Sequence, residues 1–179
     1  MHKQVITVPA VFLLKILIVG EGGVGKSTML NKFVTGKYYD SKMTIGTAFA
    51  SKDIKMDDKT LSVVFWDFGG ETRFRDLLPP LCKGAHGAIF AYDLSRPYTA
   101  NSYPEWVEII RKNAGDIPII IVGLKKDLVE GNPITMENTM FLVSSKTGEN
   151  VNETFMKIIE LAYERVKQND NSVRKVSSM

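Results

Sequence analysis

The stretch GEGGVGKST, Gly20 to Thr28, puts four closely spaced glycines, one lysine and two hydroxyls in a single short span. It fits G-x-x-x-x-G-K-[ST], a loop that wraps phosphates when a strand precedes it and a helix follows. Gly22, Gly23 and Gly25 free the backbone to curl around anionic oxygens, so that amides along the loop, Val24 included, point inward. Lys26 supplies a point charge for β- and γ-phosphates, and the Ser27 hydroxyl, with Thr28 beside it, can ligate Mg²⁺. The helix N-terminus adds positive potential. This loop implies a nucleoside triphosphate, but chooses neither the base nor the reaction.

A second stretch, WDFGGETRFR, runs from Trp66 to Arg75. Asp67 closes an apolar run, and a carboxylate opposite the phosphate loop would hold Mg²⁺ through water. Gly70 has no side chain, so a backbone N–H can reach a γ-phosphate. That bond lasts only while the third phosphate is present, which makes the turn a candidate switch. Glu71 places negative charge beside a negative ligand.

These groups need a scaffold that holds them at one edge. Phe12–Val19 and Ile117–Val122 read as buried strands, with shorter strands at Ala88–Tyr92 and Met140–Val143. Phe49–Met56 and Leu61–Trp66 flank DDK and read as a hairpin. Helical patterns cover Lys26–Phe33, Pro104–Lys112 and Val151–Lys167. Alternation of this kind predicts an α/β fold with a mostly parallel six-stranded sheet, one antiparallel strand and helices on both faces. Residues 1–168 form one domain in this reading, and 169–179 a short polar, disordered tail.

With 179 residues the chain has room for one domain with a proper core. A net charge of +3 is too small to argue for nucleic acid or an anionic membrane. Cys82 is the only cysteine, which excludes an intrachain disulfide and fits a reducing, cytoplasmic setting. VITVPAVFLLKILIVG is interrupted by Lys15, lacks a small-residue cleavage site and is too short to span a bilayer, so it reads as a strand with a lead-in. His2 excludes N-myristoylation, and the closing VSSM offers no prenyl-acceptor cysteine, so no lipid anchor is evident.

GEGGVGKST, TIGTAF, WDFGGETRFR, KGAHGAIFAYDLS, VGLKKDL and VSSKTGENV occur in this order between Leu14 and Lys167. Together they resemble the small GTPases of the Ras superfamily, most of all the Rab branch. The resemblance implies a P-loop G domain that binds GTP and GDP with Mg²⁺. It makes Thr44 the first-switch threonine, whose hydroxyl joins Ser27 and Asp67 on the metal, and Tyr38 the aromatic that covers the guanine edge. Asp127 of LKKD would accept from the guanine N1–H and amine, which adenine cannot offer; a buried carboxylate there would reject adenine. Lys125 would lie along the base and brace the phosphate loop. In SSK, ending at Lys146, the Ser145 N–H would meet the guanine O6. Effectors, exchange factors and GTPase-activating proteins are implied as partners of a monomeric switch acting through Tyr38–Ala48 and Phe68–Leu78. Phe74 or Leu77 could contact them.

Three departures qualify this. Leu124 stands where the family has Asn, removing polar contacts worth on the order of 1–3 kcal/mol. Glu71 stands where the family has a water-positioning glutamine; ionised, it can accept but not donate. A unit charge about 6 Å from phosphate meets roughly 3 kcal/mol of repulsion at an effective dielectric near 20. With Lys26 and Gly70 as the remaining candidate catalytic groups, the expectation is slow hydrolysis, and no arginine is obviously placed as a finger in cis. Finally, LVEGNPITMENT leaves little room for a helix before the last strand, so that helix should be missing or reduced to a turn. Two other readings remain: a nucleotide-holding scaffold without useful turnover, and a P-loop kinase or ATPase, against which the hairpin, DFGG and KKD argue.

Overall fold

The structure, a computed structural model, describes residues 12–39, 44–71 and 77–176, with side chains in the last helix described as far as 169. Phe74 and part of each expected switch loop lie outside the described residues. Six strands form one sheet: β1 (Phe12–Val19), β2 (Thr47–Met56), β3 (Lys59–Phe68), β4 (Gly87–Asp93), β5 (Ile119–Leu124) and β6 (Thr139–Leu142), in the order β2-β3-β1-β4-β5-β6. The β2–β3 hairpin is antiparallel and every other pairing is parallel. The helices are α1 (Lys26–Thr35), α2 (Leu78–Cys82), α3 (Tyr103–Ala114) and α4 (Val151–Val176).

Alternation along β1 divides the core. Leu14, Ile16 and Ile18 join α1 and α4 on one face, where Phe33 stacks on Phe155 at 4.2 Å between ring centroids. Leu17 and Val19 face the other way, into Phe90, Trp106 and Ile110 under α2 and α3. Period-2 side-chain alternation in a strand buried on both faces produces this two-sided core.

Local chemistry sets the element ends. Pro79 and Pro80 fall in the first turn of α2, which is only five residues long, as LLPPL leads one to expect. Pro104 occupies the first turn of α3. β5 starts two positions later than the apolar run suggests, because the Ile117 N–H bonds Gly115 O and Pro118 has no N–H to give. Between β5 and β6 the chain makes only a 3-10 turn, Lys126–Leu128, before an irregular stretch, so the expected loss of a helix is seen. The short edge strand β6 leaves Met140 exposed. One expectation needs correction: the final helix does not stop near Lys167 but runs on to Val176, through residues read as a disordered tail. Lys167 pairs with Glu164 and lies over the Tyr163 ring, contacts that support the helix up to that point.

His86 precedes β4 and is tied to β1. Its Nδ1 accepts from the Lys15 backbone N–H at 3.0 Å, and its backbone N–H donates to Lys15 O at 2.8 Å. Burial, with the Lys15 charge adding to it, holds the imidazole below its ordinary value. The folded state therefore favours neutral His86. Its contribution is full above the unfolded pKa and is lost as pH falls toward the folded one. Denaturation midpoints should drop more for the parent than for His86→Gln between about pH 7.5 and about pH 5; equal drops would show that His86 is not the titrating group.

Candidate nucleotide site

The parallel strands β1, β3, β4 and β5 end at the same edge of the sheet, where ligands of open α/β folds gather. Gly20 follows β1 and leads into α1. Gly25 caps that helix at φ 109°, a backbone angle that favours glycine. Val24 is buried in the core, anchoring the loop from beneath.

Lys26 is 5% exposed, and its Nζ donates to Gly20 O at 2.9 Å and Glu21 O at 2.7 Å. Burial lowers its pKa to about 8, against the favourable charges of Asp67 and Glu21. An anionic ligand would supply the counter-charge that this desolvated ammonium calls for.

Three oxygens meet beside it. Ser27 Oγ bonds Asp67 Oδ2 and lies 2.7 Å from Thr44 Oγ1, which is 3.3 Å from the same carboxylate oxygen. Asp67 is 1% exposed, and its Oδ1 has no hydrogen-bond partner. Burial raises its pKa, opposed by Ser27, Lys26 and Thr44. A buried carboxylate with an orphaned oxygen and two hydroxyls is a hard, oxygen-only donor set and fits Mg²⁺.

The turn after β3 lies directly on the phosphate loop. A Cβ on Gly70 would fall 2.1 Å from Gly22 N, so only glycine fits. Gly69 N–H donates to Gly46 O at 2.7 Å, linking the two expected switch segments through backbone. This link was not anticipated from the sequence, where only the first glycine of DFGG hints at it. Glu71 follows, half-buried.

A cavity of about 230 Å³ lies alongside, lined by Gly25, Thr28, Tyr38, Lys125, Asp127, Ser145 and Lys146 together with Leu124 and Leu128. All the residues expected at the base are thus brought together. Lys125 Nζ donates to Gly23 O at 3.0 Å, as the bracing role requires. Leu124 is buried in the core and approaches Gly25. Asp127 differs from expectation: it is exposed, not buried. The buried Ser144 hydroxyl donates to Asp127 Oδ1 at 2.6 Å and so fixes the direction of the exposed carboxylate. The side-chain role of Ser144 is not legible in SSK, which signals only the Ser145 backbone.

A family model described as Ras family matches residues 15–164. Ras-related protein Rab-4B of Homo sapiens is 39% identical over 158 residues, covering 82% of this chain and 74% of its own. Ras-related protein Rab-4A of Homo sapiens is 35% identical over 179 residues, 93% of this chain and 82% of its own. Ras-related protein RGP2 of Oryza sativa subsp. japonica is 33% identical over 164 residues, 85% of this chain and 76% of its own. The chain belongs to the Ras family. It is a Rab-like small GTPase, and its sheet order and single antiparallel strand are those of a Ras-like G domain. Among the described residues, no helix of this small GTPase is long and apolar enough to cross a membrane.

Proposed function

We propose that this small GTPase holds GTP or GDP together with Mg²⁺ and hydrolyses GTP slowly, signalling through two switch segments. The convergence of Ser27, Thr44 and Asp67 beside the buried Lys26 carries the reading. In it, the amides of Gly22, Gly23, Val24 and Gly25 cradle the phosphates, with Thr28 at the end of the loop. Lys26 neutralises the β- and γ-phosphates. Ser27, Thr44 and Asp67 hold Mg²⁺, which when bound neutralises charge on the phosphate oxygens. Asp127, held by Ser144, reads the guanine N1–H and amine. Ser145 N–H meets its O6, Lys125 and Tyr38 cover the ring, and Lys146 completes the pocket wall.

The switch follows from backbone connections. Gly70 N–H reads the γ-phosphate, and the Gly69–Gly46 hydrogen bond passes its presence to the first segment. Leu77 and Ile45 are exposed at 62% and 74% and offer apolar contacts to an effector. Exchange and activating proteins complete the cycle around a monomeric, cytoplasmic G domain.

Glu71 sets the rate. It can hold the attacking water but cannot donate to a phosphate oxygen, and its charge opposes the ligand's. Glu71→Gln should raise single-turnover phosphate release from GTP by about tenfold, a barrier change of about 1.4 kcal/mol. An unchanged or lower rate would remove Glu71 as the brake. A scaffold without turnover is the second reading, favoured by Glu71 and by the apolar Leu124. Phosphate release that stays at the solution rate, with or without an activating protein, would select it.

A further inference from the structure

Against the phosphate loop lies a second group of charges, of which the nucleotide roles above use only Lys125. Asp93 closes β4 and is fully buried. Its Oδ2 accepts from Arg96 Nε at 2.9 Å and lies 2.8 Å from Lys125 Nζ. Its Oδ1 accepts from the Ser95 N–H at 2.9 Å and from Ser95 Oγ at 2.6 Å. Both cations then reach the same acceptor on the phosphate loop: Arg96 Nη2 donates to Gly23 O at 2.9 Å and Lys125 Nζ at 3.0 Å. The result is a closed ring, in which one carboxylate oxygen and one loop carbonyl are bridged twice, from two different elements. The Arg96 N–H also bonds Asp93 O at 2.9 Å, which fixes the turn that delivers the guanidinium.

We propose that Arg96, locked by Asp93, is a positioning residue for nucleotide binding: it holds the Gly23 carbonyl outward so that the loop amides stay turned toward the phosphates. The inference rests on the nucleotide-switch reading above and extends it to a residue outside the ligand's reach. Position 124 explains why such a brace is needed. Leu124 packs its side chain beneath Gly25 and offers no polar group to the loop. Outward restraint of Gly23 O therefore falls on the two cations. A guanidinium suits the task because its planar fork serves Asp93 with one nitrogen and Gly23 with another, which an ammonium cannot do in the same geometry. Arg96 is a brace and not a reacting group, because its fork is committed to Asp93 and to a backbone carbonyl.

The test measures release of a fluorescent N-methylanthraniloyl-GDP and the matching GTP analogue from the Mg²⁺-loaded protein. Arg96 is more than a third exposed, so its loss should act at the low end for a charge-assisted contact: Arg96→Ala should release both nucleotides about tenfold faster. GTP preference over ATP should not change, because the base pocket is untouched; a loss of structure would move both. Arg96→Lys keeps the charge but reaches one acceptor, and should fall between the two. Arg96→Ala and Lys125→Ala share both acceptors, so their effects on release should be non-additive. Should the alanine variant fail to fold, the lysine variant reads the same contact. Release rates for the foldable Arg96 variants within twofold of the parent, with guanine nucleotide still bound, would overturn the brace alone. A parent protein that takes up no guanine nucleotide at all would overturn the switch reading and the brace with it.

Discussion

Lys26→Ala is expected to lower GTP affinity by about a hundredfold or more, on the basis of at least two charge-assisted contacts of roughly 1.5–3 kcal/mol each. The side chain is buried, and its ammonium already bonds Gly20 O and Glu21 O. Removing it would strip the phosphates of this cation and take one donor from each of two loop carbonyls. Both effects weaken triphosphate binding, and the second also relaxes the loop. Titration with a fluorescent GTP analogue reads the change directly. An affinity within threefold of the parent would mean that the phosphates lie somewhere other than against this lysine.

Asp127→Ala should abolish discrimination between bases. The carboxylate can accept two hydrogen bonds from guanine, together worth about 3 kcal/mol or more, or some two decades in affinity. Because Asp127 is exposed, the penalty for adenine comes mainly from these two bonds being missing, and less from a stranded buried charge. GTP binding should therefore fall about a hundredfold while ATP binding stays near its starting value, bringing the ratio close to one. Ser144→Ala should produce a weaker version of the same change, since it frees the carboxylate to swing without removing it. A GTP-to-ATP ratio unchanged in Asp127→Ala would show that the base is read elsewhere in the cavity.

The elements carrying these groups were legible wherever local pattern and tertiary need agree. Phe12–Val19 is apolar on both faces and became the central strand β1, and the glycine-rich loop after it could lead only into a helix. The missing helix before β6 was legible from Gly131 and Pro133, which break any turn there. Three features were not legible, each for a physical reason. α4 continues past Lys167 to Val176, because a polar composition does not by itself end a helix that carries no Gly or Pro. Asp127 lies exposed inside the 3-10 turn Lys126–Leu128, which Lys125 opens at φ 62°, a backbone detail that no pattern of residue types specifies. The ring through Asp93, Arg96, Gly23 and Lys125 joins three segments far apart in sequence, which the pairing of β4 with both β1 and β5 brings together.

Competition between GTP and ATP for the Mg²⁺-supplemented parent protein bears most directly on the reading of this chain as a guanine-nucleotide switch. The account predicts that GTP displaces a bound fluorescent GDP analogue at concentrations at least about a hundredfold below those ATP requires. Displacement by ATP at equal or lower concentration would contradict it.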